Sequence, residues 1–304
     1  MTTSFPSEKQ IVPTANVLES RLRIFQPTQR PKFVKNQKIE TPWGTTTITG
    51  RLGQRHADLI EFIRFCAEKS MDRAGKLWLL VDPHKLRGKM GKRKHYSHEQ
   101  IKSLIKDLTE ASVQTDTDES WTSGHLIDNF IESTVERVNP GALLPIKKME
   151  KDGKDDVIVI IDPPGAGAKR KLWAIEVGIP GRKFLLEGIK LYYDPGPIAR
   201  LKSGMSQALA RHVLGHKTAP NGGWKLDSLI TLVAGTLTGM KLRDARRAIK
   251  DDSSALLEIG IEVKDGRINL LNEDGFAGEE EVKDIIFLGL GIVVTASLYA
   301  FLRL

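Results

Sequence analysis

The chain has 304 residues, of which 40% are hydrophobic and 28% are charged. This composition excludes a fibrous or wholly disordered protein, and the length is sufficient for two hydrophobic cores. The net charge of +8 predicts attraction to a polyanion, either nucleic acid or an acidic membrane surface. Cys66 is the only cysteine, which excludes an internal disulfide, and the first residues lack the apolar stretch of a secretory signal. We therefore expect a protein of the reducing cytoplasm.

The N-terminal part of the chain is predicted to be an arm followed by an α+β domain. Residues 1–40 contain four prolines and no sustained period, so we expect an extended segment without a core. Apolar residues at helical spacing predict a helix over residues 55–70 and a buried strand at 76–81. Ser97 is the predicted N-cap of a helix over residues 98–111. Further strands complete a first domain over residues 41–180; they are predicted at residues 126–138, 143–149, 157–161 and 172–177.

The order of elements in the second predicted domain, residues 181–270, is the most informative pattern in the chain. A helix is predicted over residues 198–214, a short strand over 224–226, and a helix over 227–234 with Asp227 as its cap. A helix over 241–257 follows, and then a hairpin over 261–270 with a tight turn at Asp265-Gly266. Helix, strand, helix, helix, hairpin is the order of a winged helix-turn-helix. Because the first domain roughly echoes it, we predict an α+β fold of two tandem winged-helix domains.

The helix that begins near Lys241 carries the principal candidate binding residues. Four of its cations, Arg243, Arg246, Arg247 and Lys250, form one stripe. The apolar residues Leu242, Ala245, Ile249 and Leu256 form another about 100° away around the helix. This geometry is typical of a recognition helix, whose arginines reach guanine edges and phosphates in the major groove. A solvated, charged surface helix remains the alternative. The candidate DNA contacts are Lys241, Arg243, Arg246, Arg247 and Lys250, with Lys264 and Arg267 beside the tip of the hairpin.

A second basic segment, residues 85–94, contains no acidic residue. We expect it to be open and to contact phosphates, the alternative being a solvated loop. Lys102 and Lys106 extend this basic surface along the helix that follows. The segment contributes six candidates: Lys85, Arg87, Lys89, Lys92, Arg93 and Lys94.

Several patterns that could indicate an enzyme are incomplete. The glycine-rich residues 165–169 lack the Gly-Lys-Ser/Thr ending of a phosphate loop. His212 and His216 are spaced for a metal, but no third ligand is evident. Tyr192 or Tyr193 could serve as the nucleophile of a DNA-nicking enzyme, a chemistry that needs a histidine cluster absent from the sequence. We therefore expect a non-enzymatic protein with no catalytic residue, cofactor or metal.

The sequence resembles a known family in residues 41–63, 191–217, 221–230 and 242–263. These segments are similar to plasmid replication initiators built from two winged-helix domains. The resemblance implies a bacterial protein that binds repeated double-stranded sites at an origin, aids duplex opening and recruits host replication proteins, including the helicase machinery. It also implies a monomer–dimer equilibrium, in which dimers form through the first domain and repress their own promoter while monomers bind the origin.

The C-terminal residues 271–304 depart from that family. After an acidic linker, the run from Ile285 to Leu302 has no charged residue and approaches the roughly 20 residues that span a bilayer. One interpretation is a transmembrane helix, which would make the protein a membrane-tethered DNA adaptor or transcription regulator associated with the inner membrane. The other is an apolar helix buried between domains or protomers.

Overall fold

The protein has an α+β fold, seen in a computed structural model. None of the helices in the part of the chain that the structure describes is both long and apolar enough to cross a membrane. The apolar run from Ile285 to Leu302 lies outside that part. The structure describes residues 12–73, 76–90, 96–132, 143–145, 159–161 and 172–271.

The first described residues contribute to the core, so the prediction of an extended arm is wrong for residues 12–26. Leu22 and Ile24 are fully buried, because the apolar residues of this segment pack inward between its prolines. Asn16 caps the first helix by accepting a hydrogen bond from the backbone N–H of Leu18. The elements up to residue 65 are β1 (Ala15–Asn16), α1 (Val17–Arg21), β2 (Val34–Thr41), β3 (Gly44–Gly50) and α2 (Gln54–Phe65).

The next elements confirm two predictions and correct a third. The strand at Lys76–Val81 is present, and Ser97 caps the helix that begins at His98 through a reciprocal pair of hydrogen bonds with Gln100. Helix α2, however, ends at Phe65 and not at residue 70, because the residues after Cys66 pair with the strand at Lys76–Val81. These elements are β4 (Ala67–Arg73), β5 (Lys76–Val81), α3 (Pro83–Met90), α4 (His98–Glu110), β6 (Ser112–Thr117), β7 (Ser120–His125) and β8 (Ile127–Glu132).

Two antiparallel four-stranded sheets, together with α2 and α4, build the larger core. One sheet has the order β2-β3-β6-β7. The other has the order β4-β5-β11-β8, where β11 is Trp173–Val177, and its central strands β5 and β11 are buried. Phe62, Ile101 and Val81 are fully buried in the core that these elements share. The remaining elements up to residue 191 are β9 (Leu143–Pro145), β10 (Val159–Ile161), β11 (Trp173–Val177), α5 (Ile179–Leu186) and β12 (Lys190–Leu191).

The C-terminal part has its own core and follows the predicted order of elements. Three helices contact one another: α7 (Gly204–Leu214), α8 (Leu226–Ala234) and α9 (Gly239–Asp251). Three strands, β13 (Trp224–Lys225), β14 (Ile261–Lys264) and β15 (Arg267–Leu270), form a sheet of order β13-β15-β14. Leu209, Ile230 and Ile249 are fully buried in this second core. The elements are α6 (Gly196–Ala199), α7 (Gly204–Leu214), β13 (Trp224–Lys225), α8 (Leu226–Ala234), α9 (Gly239–Asp251), α10 (Ser253–Leu257), β14 (Ile261–Lys264) and β15 (Arg267–Leu270).

Two predicted helices of this part are each divided in two. The predicted helix over residues 198–214 is interrupted, and Ser203 caps α7. The predicted helix over residues 241–257 breaks at Asp252, whose carboxylate accepts hydrogen bonds from the backbone N–H groups of Lys202 and Ser203. Asp227 is not a cap as predicted, because α8 begins one residue earlier. The hairpin turn is as predicted, since Asp265 and Gly266 both have positive φ, at 50° and 70°.

A buried ion cluster joins α7 to α2. The Arg211 guanidinium lies 2.6 Å from an oxygen of Asp58 and 2.7 Å from an oxygen of Glu61. The Tyr193 hydroxyl also donates to Glu61, at 2.8 Å. Burial opposes the charge on Arg211, but Glu61 and Asp58 outweigh it and raise the pKa of the guanidinium. The cluster therefore fixes the C-terminal helices against the larger core.

Candidate nucleic-acid interface

Helix α9 packs through one side only. It begins at Gly239, after the four-residue turn that follows α8. Gly235 and Gly239 adopt positive φ, of 79° and 56°, at the two ends of this turn. Ala245 and Ile249 are buried in the C-terminal core, where α9 contacts α7 and α8. The remaining sides of the helix face solvent and carry its cations.

Three of those cations are free among the residues that the structure describes. Lys241, Arg243 and Lys250 are exposed, and their side-chain nitrogens make no ion pair or hydrogen bond within the described ranges. Each can therefore approach a phosphate without first breaking a contact inside the protein. Helix α9 thus presents accessible positive charge beside its buried side.

The two central arginines of α9 are paired with carboxylates. Arg246 makes a two-pronged contact with Asp227 on α8, in which Nε donates to Oδ1 at 2.7 Å and Nη2 donates to Oδ2. The hydrogen bond to Asp227 raises the pKa of Arg246. Arg247 reaches Asp244 in its own helix at 3.0 Å. Both pairs are exposed, so water and salt weaken them.

The hairpin tip has one free cation and one that is engaged. Lys264 is exposed and makes no side-chain contact within the described part of the chain. Arg267 donates from Nη1 to the carbonyl oxygen of Gly222, at 2.8 Å. That bond ties the hairpin to the loop before β13. Lys264 is therefore the more available of the two predicted contacts at this tip.

The predicted open segment at residues 85–94 is partly helical, which corrects the expectation for its first half. Asp82 accepts a hydrogen bond from the backbone N–H of His84 and starts α3, while Leu86 and Met90 anchor the helix by burial. This four-residue apolar spacing is the physical reason for the helix. Lys85 and Lys89 are exposed and Arg87 is half-buried. The other three candidates of the segment, Lys92, Arg93 and Lys94, lie outside the described residues.

The predicted basic extension along α4 is largely neutralised. Lys102 forms an ion pair with Glu132 at 2.8 Å, and Lys106 forms one with Glu110 at 3.6 Å. Both partners are acidic residues on the same surface, which the spacing of the lysines alone does not reveal. This part of α4 therefore contributes little free positive charge.

The residues considered for catalysis or metal binding are mostly buried. Tyr193 is 4% exposed, and burial, followed by the charge of Glu61, raises its pKa well above the usual range; Tyr192 is exposed. His212 and His216 lie in a row of rings between Trp43 and Trp224, with centroids 5.1 to 5.5 Å apart. Within the described ranges, no group of three or more His, Cys, Asp or Glu side chains could hold a metal ion.

A group of three cations between the two cores is not predicted from the sequence. Arg55, Arg200 and Lys202 line a cleft at the N-terminal ends of α2 and α7. The sequence signal for two of these cations is their position near helix starts. Arg55 is the second residue of α2, and Lys202 directly precedes Ser203, the N-cap of α7. Neither position is part of a long basic run, so composition alone does not single them out.

The comparison with solved structures gives a likeness in fold at low sequence identity. The chain is similar to a solved structure of domains 2 and 3 of RctB, with 11% sequence identity and a TM-score of 0.44, covering 85% of this chain and 96% of the other. No family model matches the sequence, and no curated protein matches it. A likeness at this identity and TM-score says nothing about what either chain binds.

Proposed function

We propose that this chain is a DNA-binding protein whose C-terminal core forms a winged helix-turn-helix, with α9 as its recognition helix. The observation that carries the proposal is the two-sided character of α9. Ala245 and Ile249 hold it in the core, while Lys241, Arg243 and Lys250 are exposed and unpaired within the described residues. A helix fixed on one side and cationic on the other fits the major groove of DNA.

The neighbouring elements support this assignment. Helix α8, the short turn and α9 follow one another as the two helices of a helix-turn-helix do, and the β14–β15 hairpin occupies the sequence position of a wing. In this proposal, Arg246 and Arg247 exchange Asp227 and Asp244 for guanine edges or phosphates. Lys264, rather than Arg267, supplies the backbone contact of the wing.

The finer proposal is a plasmid replication initiator that binds repeated sites at an origin. It rests on the resemblance of the sequence segments to that family, together with the second group of cations on α3, Lys85, Arg87 and Lys89. We propose that α3 supplies a second, phosphate-directed contact from the larger core. Duplex opening, recruitment of host replication proteins and repression of its own promoter belong to the same proposal.

Footprinting of the protein on the DNA upstream of its own gene tests the proposal. We expect protection of directly repeated sites, because an initiator binds an array. A pattern with no protected repeats would contradict the assignment as an initiator. Binding that is equally strong on unrelated DNA would leave only a non-specific DNA-binding protein.

Two alanine variants of the C-terminal core separate base reading from backbone contact. Arg246→Ala is expected to lower affinity for the protected repeat by about tenfold to a hundredfold, with a small effect on unrelated DNA. Lys264→Ala is expected to weaken both DNAs similarly and to reduce the salt dependence. If Arg246→Ala leaves specific binding unchanged while the fold survives, α9 is not the recognition helix.

We also propose that the protein has no nicking activity. The buried Tyr193 cannot reach DNA without unfolding, because its hydroxyl is bonded to Glu61 inside the ion cluster. Incubation with labelled single- and double-stranded origin DNA, followed by denaturing electrophoresis, should show no covalent protein–DNA product. A product abolished by Tyr192→Phe would contradict this and assign the exposed tyrosine as a nucleophile.

A further inference from the structure

A cleft of about 170 Å³ lies between the two hydrophobic cores. Arg55 and Tyr96 line it from the side of the larger core, and Arg200 and Lys202 line it from the segment between α6 and α7. Gln29 holds one wall, because its amide donates to the carbonyl oxygen of Lys202 at 3.1 Å. The cleft is therefore formed by parts of the chain that only the tertiary fold brings together.

The cleft has a surplus of positive charge. The side-chain nitrogens of Arg55, Arg200 and Lys202 make no ion pair or hydrogen bond to any described residue. Asp58 is the only carboxylate among the lining residues. Its two oxygens are engaged by Arg211 at 2.6 Å and by the Gln207 amide at 3.3 Å. Both oxygens of Asp58 are thus held inside the protein, and none of the three cations of the cleft pairs with this carboxylate.

The N-terminal ends of α2 and α7 both pack on Thr28, the residue before Gln29. The backbone N–H of Gln54, the first residue of α2, donates to the carbonyl oxygen of Thr28 at 2.9 Å. The first residue of α7, Gly204, packs so tightly on Thr28 that a Cβ there would lie 2.5 Å from the Thr28 Cα. The N-terminal ends of helices carry partial positive charge and favour anions. At the start of α7 that anion is the Asp252 carboxylate, which accepts hydrogen bonds from the backbone N–H groups of Lys202 and Ser203.

The cleft lies between the two cationic helices of the proposed DNA surface. The Asp252 carboxylate at the end of α9 accepts from the backbone N–H of Lys202, so the C-terminal end of α9 adjoins one side. Met90, the last residue of α3, lines the other side. A chain of phosphates that extends from α9 to α3 would pass this cleft.

We propose that the cleft is a phosphate-binding site in which Arg55, Arg200 and Lys202 are the ligands, and that in the DNA complex it holds a backbone phosphate between α9 and α3. Tyr96 also lines the cleft, and its phenol hydroxyl adds a hydrogen-bond donor there. The proposal that the cleft binds phosphate depends only on the residues of the cleft. The proposal that this phosphate belongs to the DNA backbone rests on the proposed function.

The test compares two variants that lose the same charge. The site variant is Arg55→Gln, Arg200→Gln and Lys202→Gln together. The control variant replaces three exposed lysines on other elements, Lys35→Gln, Lys69→Gln and Lys190→Gln. Thermal unfolding should first show that all three proteins are folded. DNA affinity is then measured as a function of salt, and binding of inorganic pyrophosphate is measured by ³¹P line broadening.

The expected result is a site-specific loss. The slope of log affinity against log salt should fall by about 0.9 for each lost phosphate contact in the site variant and much less in the control. The ³¹P signal of pyrophosphate should broaden in the presence of the native protein or the control variant but not in the presence of the site variant. If only the pyrophosphate arm shows this difference, the site is supported and its ligand is a free phosphorylated molecule. If neither arm distinguishes the site variant from the control, the proposal is overturned.

Discussion

The protein uses charged side chains in two opposite ways, on two helices of the same core. On α7, Arg211 is 7% exposed and bonds to Asp58, Glu61 and the Gln54 side chain. On α9, Lys241 and Arg243 are exposed and unpaired within the described part of the chain. The helices contact each other, so the difference lies in which side each charge faces.

This difference separates charges that determine the structure from charges that remain available for a ligand. A buried ion has lost its hydration, so removing one partner leaves the other without compensation. An exposed ion remains hydrated, and its contribution to folding is small and decreases with salt. The buried group therefore fixes the relative position of the cores, whereas the exposed group is free to bind an anion.

Replacing Arg211 with methionine should give the largest effect. The change leaves Asp58 and Glu61 facing each other without a cation, and we expect the free energy of unfolding to fall by about 3–5 kcal/mol. Urea titration at neutral pH measures this change in the free energy of unfolding. Adding Asp58→Asn and Glu61→Gln to Arg211→Met removes the unpaired charges and should recover part of the loss. A cost below about 1 kcal/mol for Arg211→Met alone would mean that the cluster does not hold the cores together.

The His212 ring should give an intermediate effect that depends on pH. Burial, followed by the charges of His216 and Arg21, lowers the pKa of His212 to about 3 from its usual 6.5. Between those values the unfolded chain binds the proton and the folded protein does not, so stability falls as the pH falls from 6.5. The contribution is at most about 1.4 kcal/mol per pH unit.

Denaturant unfolding of the native protein and of His212→Phe at pH 7, 6 and 5 measures this dependence. Phenylalanine keeps a ring between Trp43 and His216 but cannot be protonated. The variant should lose less stability on acidification than the native protein. His216, whose pKa burial also lowers, accounts for a remaining slope in both proteins. Equal slopes would show that His212 does not become protonated on unfolding in this range.

The elements that the sequence predicts well are those with local signals. The helix at His98 has its capping pair and its apolar residues within one stretch, and the hairpin at residues 261–270 has the Asp-Gly turn that requires positive φ. The apolar side of α9 is likewise visible in its spacing, because Ala245 and Ile249 are four residues apart. These features depend on neighbours in the chain, so the sequence contains them directly.

The features that were missed depend on contacts between distant segments. Residues 12–26 look like an arm because their partners in the core come much later in the chain. The break at Asp252 is invisible in its own helix, since the carboxylate is bonded to the backbone of Lys202 and Ser203. The pairing of Arg246 with Asp227 spans 19 residues and two helices. Local periodicity cannot report any of these contacts.

The smallest effect on stability, and the sharpest contrast with Arg211, is expected from the exposed cations of α9. Lys241→Ala, Arg243→Ala and Lys250→Ala together should change the free energy of unfolding by no more than about 0.5 kcal/mol per site, because alanine suits a helix and no described contact is lost. The same variant should reduce the salt slope of DNA binding by about 0.9 per lost phosphate contact. Urea titration measures the free energy of unfolding, and DNA binding at several salt concentrations measures the salt slope, both on one preparation. A loss of stability as large as that of Arg211→Met would show that the exposed charges of α9 also support the fold. The contrast between structural charges on α7 and binding charges on α9 would then be wrong.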